Sequence, residues 1–401
     1  MPDPFTTYGL TRIVNVSGTE TVKGASPIAP EVVEAVNALV PHSVDIGELQ
    51  SAASMIIART YGTEAGCITG CSAAAIATAI AACMTERDLA RVEQLPDTTG
   101  MKDEVVIQRG HIVTWGGHLL QTIRITGARP VELGAATECG AYQLRHALGE
   151  RTAAALYVVS HHSVQTGLID LATFCEACHA AGVPVIVDGA AEPNFRDFVA
   201  AGADIVITSA HKVFAALTAG VIAGRRDIVH ACIYQEKGIG RPMKAGKEGI
   251  VGAMAGIERW LALDQEQVRR QVRARLERAR ERLEALIGIR ASLEKDWTSG
   301  AFERLRLDVG PAEAGLSAFD LAAALGRQSP SIAVRSLYAD QGFLQIDLRR
   351  VDDATAAWVC ERIVEVVHAA EGPSAPTPPP NPSDQALARL EAWPLALPVG
   401  R

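Results

Sequence analysis

In "ADIVITSAHKVFAALTAGVIAG", residues 203–224, Lys212 stands directly behind one apolar run, "DIVITS", and just ahead of a second, "AGVIAG". Near-continuous Val/Ile runs of this kind read as strands buried on both faces, the mark of a mostly parallel sheet. A lysine in the joint between them has no helix face along which to reach water. Upstream, "VPVIVDGA", residues 183–190, carries Asp188 at the end of a third such run, and the interval to Lys212 has room for one helix and one strand. Burial makes a lysine costly as a cation and so exposes the neutral, nucleophilic amine that a Schiff-base lysine needs. A buried aspartate keeps its charge when it faces a cation, and a protonated pyridine nitrogen is such a partner. An aspartate alone at a strand end as often caps a loop. The pair together points to pyridoxal 5'-phosphate.

That cofactor has a phosphate to be held. In "ITGCSAAAIATAIAA", residues 68–82, Thr69, Gly70, Cys71 and Ser72 precede an alanine-rich helix whose first turn offers unpaired N–H groups, although the same pattern also describes a plain N-cap. Between about residues 51 and 230, strand-like runs ("DEVVIQ", "RPVELG", "AALYVVS") alternate with helical ones ("AYQLRHALG", "LATFCEACHAAG"), the pattern of an α/β layered sheet with its site at the strand C-terminal ends. We divide the chain into an N-terminal arm (1–50), a large cofactor-binding domain (51–262), a linker helix with a small C-terminal α+β domain built on an antiparallel sheet (263–371), and a Pro-rich tail (372–401). In the linker helix Val268, Val272, Leu276, Leu283 and Ile287 recur at helical spacing, and its interleaved Arg and Glu read as a solvated face. The tail reads as an extended linker through "GPSAPTPPPNPSDQ", followed by a segment whose Trp393 and leucines would dock on the body or a neighbour.

Composition narrows the partners. With 48% apolar and 21% charged residues the chain has the material for a sizeable core, and a net charge of −8 gives no broad reason to bind nucleic acid or an anionic membrane. The N-terminus lacks a basic, then apolar, leader and no long apolar span occurs, so we expect a cytoplasmic protein. Cys175 and Cys178 have C-x-x-C spacing but lie inside a helical run with no second pair nearby, and we expect no metal site.

Several longer segments resemble a known family. "ADIVITSAHKVFAALTAGVIAGRRDIV" with "VPVIVDGAAE" looks like the cofactor segments of fold-type I pyridoxal-phosphate enzymes. "VVIQRGHIVTWGGHLLQTIRITGARPVELG" and "GRPMKAGKEGIVGAMAGIERWL" resemble the selenocysteine synthase (L-seryl-tRNA(Sec) selenium transferase) superfamily. "RIVNVSGTETVKGASPIAPEVVEAV" and "GELQSAASMIIARTYGTEAGCITGCSAAAIATAIAAC" are closer to a tRNA-independent branch that includes D-glucosaminate-6-phosphate ammonia-lyase. The likeness spans roughly residues 10–370.

The resemblance implies that Lys212 forms the Schiff base, Asp188 partners the pyridine nitrogen, and Gly70, Cys71 and Ser72 turn around the phosphate, with Ser209 and His211 adding hydrogen bonds to it. His111 falls where such enzymes stack a residue on the ring, or else is a structural hydrogen-bonder. Arg109 faces either a substrate carboxylate or an ion-pair partner, and Arg335 and Arg349 are carboxylate-binding or surface groups. Arg241, Lys244 and Lys247 belong near the site mouth or a subunit interface, or to an exposed loop; one of His161, His162 and Ser163 would touch the cofactor's O3′. Two departures argue against tRNA as substrate: the core motif begins within about a dozen residues of Met1, and the family's Gly-Asp before the lysine is Ala-His here.

The expected activity is that of a lyase. With Lys212 as Schiff base and general base, a β-substituent leaves a hydroxylated amino acid or amino-sugar acid, yielding a 2-oxo acid and ammonia. Racemisation or epimerisation, aldolase-type cleavage, a selenocysteine-synthase-type transfer and a non-catalytic binding protein are the alternatives. A homodimer or larger homo-oligomer is implied by the fold type.

Overall fold

A computed structural model describes residues 3–370 and 382–393. The chain forms two compact units, a larger one of residues 27–264 with 297–301, and a smaller one made of the other described residues.

Strand β1 (Ile13–Val16) belongs to the smaller unit. The larger unit holds β2 (Ala65–Thr69), β3 (Glu104–Gln108), β4 (Arg129–Leu133), β5 (Thr152–Val158), β6 (Val185–Asp188), β7 (Ile205–Ser209) and β8 (Gly220–Gly224). They form one sheet in the order β2-β8-β7-β6-β5-β3-β4, in which β8 alone runs against the rest. Every residue of β6, β7 and β8 is buried, as the uninterrupted Val/Ile runs require. The helix Ser72–Thr85 is buried on almost every side, which its many alanines permit because they fill little space at close approach.

The edge strand β2 is covered by the helix Ile46–Tyr61. Gln50 on that helix accepts from the Ile68 N–H (2.9 Å) and donates to the Ile68 carbonyl (2.7 Å), and Ser54 accepts from the Gly66 N–H (3.0 Å). Backbone groups left open at a sheet edge are thereby satisfied just before the Thr69–Ser72 turn.

The smaller unit contains β9 (Ile289–Lys295), β10 (Glu303–Val309), β11 (Ser331–Val334) and β12 (Phe343–Ile346). An antiparallel sheet β12-β10-β9 carries the expected topology, and its core is closed by Leu276 and Leu283 of one helix and Val359 and Ile363 of another. β1 pairs in parallel with β11, so residues up to Ser26 lie in the smaller unit. Expected as one arm, residues 1–50 are instead shared between the units: the helix Pro30–Leu39 packs on the helix Lys247–Ala262 of the larger one. Local apolar pattern marks a strand but carries no information about its partner.

Two further expectations change. The linker helix spans Gln265–Glu284, so Ile287, expected on its apolar seam, lies past its end and is exposed. The linker reading of the tail runs through Gln385, yet Pro382–Glu391 is a helix; its Leu387 and Leu390, and Trp393 just past its end, are exposed. The remaining tail, residues 371–381 and 394–401, lies outside the described residues.

Candidate active site

Four adjacent parallel strands, β3, β5, β6 and β7, end side by side, and the candidate site residues lie at those ends. β6 closes on Asp188, whose register partners are Val158 at the end of β5 and Ile207 in β7. The Val158 N–H donates to His111 Nδ1 (3.2 Å), which holds that ring beyond the end of β3. After β7, the Ser209 N–H donates to the Ala190 carbonyl (2.9 Å), tying the turn after Asp188 to the short helix Ala210–Val213 that carries Lys212. Strand register and these bonds together bring the segments carrying Lys212, Asp188, His111, Ser209 and His211 to one end of the sheet.

Burial sets the charge states. Asp188 accepts from the Ala190 N–H (3.2 Å), and desolvation pushes its carboxyl up to about 6 despite the attraction of Lys212. Desolvation lowers the Lys212 amine from its usual range, opposed by Asp188 and by Glu192. His111 is held near 4 by burial, and because Nδ1 accepts from backbone, the neutral ring carries its proton on Nε2. Its ring meets Tyr157 edge-on at 4.4 Å between centroids. His211 is held near 4 by burial and by Lys212, with its ring within 3.4 Å of the Ser209 hydroxyl.

The Thr69–Ser72 turn, expected to hold the phosphate, is built from two directions. The Gly70 N–H donates to the Met243 carbonyl (2.9 Å), Thr69 bridges Lys244, and the Thr69 hydroxyl donates to the Cys71 carbonyl (3.0 Å). Cys71 caps the following helix, its Sγ accepting from the Ala74 N–H at 3.4 Å. The N–H groups of Ser72 and Ala73 then have no acceptor within the helix and face outward from its first turn. Gly220 lies against this turn so closely that any Cβ there would run into the Cys71 carbonyl.

Of the remaining sequence candidates, Lys244 lies across from Thr69 and is exposed, while Arg241 opens an exposed turn. Lys247 Nζ donates to the carbonyls of Val40 (2.7 Å) and His42 (2.6 Å), capping the end of the helix Pro30–Leu39. Ser163 donates to the Ser160 carbonyl (2.6 Å) within its own loop, beside the tilted ring pair His161 and His162. Arg109 points into solvent, ion-paired with Glu132 at 3.3 Å, the second of the two readings open for it. Cys175 and Cys178 lie on the buried face of the helix Leu171–Ala180, and burial pushes both thiols up to about 12.

In the smaller unit the two arginine candidates separate. Arg349 is held by Asp347 (2.6 Å) and lies over the Phe302 ring. Arg335 is 7% exposed, its Nε has no hydrogen-bond partner, and no carboxylate of the described residues lies within ion-pair distance of it. Nearby Arg304 is satisfied by Asp296 (2.6 Å). Arg335 is therefore a buried guanidinium with one unsatisfied N–H, on which Glu20 and Asp347 act only as through-space charges.

Sequence reading missed three polar residues here. Gln108 is fully buried and ties the end of β3 to Ile169 through both amide atoms (3.2 and 2.8 Å). Gln50 does the same for β2. Glu192, four positions beyond Asp188, is 4% exposed. Each looks like an ordinary surface residue in one dimension, and a glutamine inside "VVIQ" was the one available signal.

Residues 13–295 match the family model described as SelA, L-seryl-tRNA selenium transferase. The chain belongs to the selenium transferase family. Within and around this family it is 38% identical over 371 residues to D-glucosaminate-6-phosphate ammonia lyase of Salmonella typhimurium, covering 92% of this chain and 100% of that one. It is 35% identical over 361 residues to 5'-C-glycyluridine monooxygenase-decarboxylase of a Streptomyces species, covering 90% of each. L-seryl-tRNA(Sec) selenium transferase of Nitratidesulfovibrio vulgaris is more distant, 27% identical over 65% of this chain and 58% of its own length. The solved structure of D-glucosaminate-6-phosphate ammonia-lyase superposes with a TM-score of 0.83 at 37% identity, covering 92% and 99% of the two chains. A β-eliminating lyase/threonine aldolase structure from Exiguobacterium, at 15% identity and a TM-score of 0.58, shares the fold alone.

Fold type and family membership make pyridoxal 5'-phosphate the cofactor, and the residues present fit it. Asp188 is a desolvated carboxyl with one hydrogen bond, Lys212 is a desolvated amine, and the Ser72–Ala73 turn presents unpaired donors. These are the three contacts that a ring nitrogen, an aldehyde and a phosphate need.

Proposed function

We propose that this selenium transferase family member is a pyridoxal-phosphate-dependent lyase that removes water from a hydroxylated amino acid or amino-sugar acid, giving a 2-oxo acid and ammonia. The observation that carries it is the Asp188–Lys212 pair at neighbouring strand ends, in a chain 38% identical to an ammonia lyase along almost its whole length. When bound, the cofactor supplies an electron sink for the bonds at the substrate's α-carbon.

The residues divide that work. Lys212 links the cofactor, and its amine then takes the α-proton, a role for which desolvation prepares it. Asp188 holds a negative charge toward the ring nitrogen. His111, neutral and fixed by Val158, covers the ring without competing for protons. Gly70, Cys71, Ser72, Ser209 and His211 hold the phosphate. Eight free thiols suit a reducing cytoplasm, and the fold type suits a homo-oligomer.

Holoenzyme incubated with hydroxylated and sugar-derived amino acids is expected to release 2-oxo acid and ammonia in equal amounts. Lys212→Ala should abolish both release and the visible absorption of the lysine-linked cofactor. Retention of that absorption with unchanged turnover would refute the assignment. The Streptomyces relative favours a second reading, oxidative decarboxylation, which oxygen uptake with carbon dioxide release would reveal in the same incubation.

A further inference from the structure

The carboxylates around Lys212 number one more than cofactor binding uses. Asp188 lies at the end of β6 and is committed to the ring nitrogen when the cofactor is in place. The turn that follows it is pinned: the Gly189 N–H donates to the Ile207 carbonyl (3.0 Å), the Ser209 N–H to the Ala190 carbonyl (2.9 Å), and the Glu192 N–H to the Gly189 carbonyl (3.0 Å). These three bonds bring the segment carrying Glu192 alongside the segment carrying Lys212. Glu192 is 4% exposed, too buried for a carboxylate with only a solvation role. Among the described residues, Asp188 and Glu192 are the carboxylates whose charge acts on the Lys212 amine, while adjacent His211 stays neutral down to about 4.

We propose that Glu192 is a positioning residue, the counter-ion that holds the Lys212 ammonium once Asp188 is engaged by the cofactor. This rests on the lyase reading and adds to it a residue for the proton. The α C–H bond breaks with its electron pair left on the substrate, and the proton moves to Nζ. When the Cβ–O bond then breaks, the departing hydroxyl takes that proton and leaves as water, and the amine is neutral again. Between those two events the lysine is a cation in a desolvated site, and Glu192 stabilises it.

The test is a pH titration of the visible absorption of the lysine-linked cofactor in holoenzyme, alongside nitrogen-15 lysine NMR of the cofactor-free protein. Removing a nearby anion disfavours the protonated form, so Glu192→Gln should lower both midpoints by about one pH unit. Glu192→Asp, which keeps the charge but draws it back by one methylene, should lower them by less. A purely structural role would change thermal stability and leave the midpoints in place. Unmoved midpoints in folded Glu192→Gln, or in Glu192→Asp should the first variant fail to fold, overturn the proposal. Wild-type protein without lysine-linked absorption would instead overturn the cofactor assignment itself, so the two failures are distinguishable.

Discussion

His111 and Asp188 are both buried at strand ends, and burial moves them in opposite senses. His111 and His211 titrate near 4 in the folded protein rather than at the ordinary 6.5. Between those values the unfolded chain binds more protons than the folded one, so their contribution to stability is complete above pH 6.5 and is lost as pH falls toward 4. Asp188 titrates near 6 rather than 3.8, so across that interval the folded chain holds the additional proton and stability falls as pH rises. Two imidazoles outweigh one carboxyl. Cofactor-free protein should therefore lose stability on acidification from pH 6.5 to 4; His111→Gln should reduce that loss by about 1–3 kcal/mol, and Asp188→Asn should enlarge it. Thermal unfolding at stepped pH measures both, and an unchanged acid response in His111→Gln would contradict burial as the cause. Lys212 and Asp188 are visible in one dimension because a charge beside a Val/Ile run is conspicuous. Glu192 is not, since its burial appears only in the folded chain.

The Thr69–Ser72 turn proposed to hold the phosphate depends on how tightly elements approach. Gly220 opens β8 directly against it: a methyl group there would run into the Cys71 carbonyl and stand 2.6 Å from the Thr69 hydroxyl. Gly220→Ala should cost about 1–3 kcal/mol through overpacking and should weaken cofactor binding more than a comparable loss of stability elsewhere. Paired thermal unfolding and cofactor titration would test this, and cofactor affinity unchanged in the variant would show that the turn can yield. A similar closeness operates at Gly256, whose Cβ would lie 2.8 Å from the Ala216 methyl in the segment following Lys212. The glycines of "GIVGAMAGIE" thus let a helix lie against the lysine's own loop. In sequence they read only as an interruption of helix propensity.

At the scale of the whole chain, family and charge point to different partners. The family model is that of a tRNA-dependent enzyme, yet the net charge is −8 and the relatives of highest identity reported above act on small molecules by name. Seryl-tRNA should not be retained by the holoenzyme at physiological salt in a filter-binding assay, where a phosphate-contacting protein would show steep salt dependence. Saturable retention that weakens with salt would restore the transferase reading.

Most strands of the large unit, their alternation with helices, and the lysine, aspartate and glycine-rich turn proposed here as cofactor contacts could be picked out from the linear chain. Each is announced locally, by Val/Ile runs, by a charge placed at their ends, or by small residues before a helix. Folding was needed to assign β1 to β11, to give Arg349 to Asp347 while leaving Arg335 without an ion pair at contact distance, and to bring the segment carrying Glu192 alongside the one carrying Lys212. Those outcomes depend on pairings between residues far apart along the chain, and on how much water each pairing removes, which no local pattern encodes.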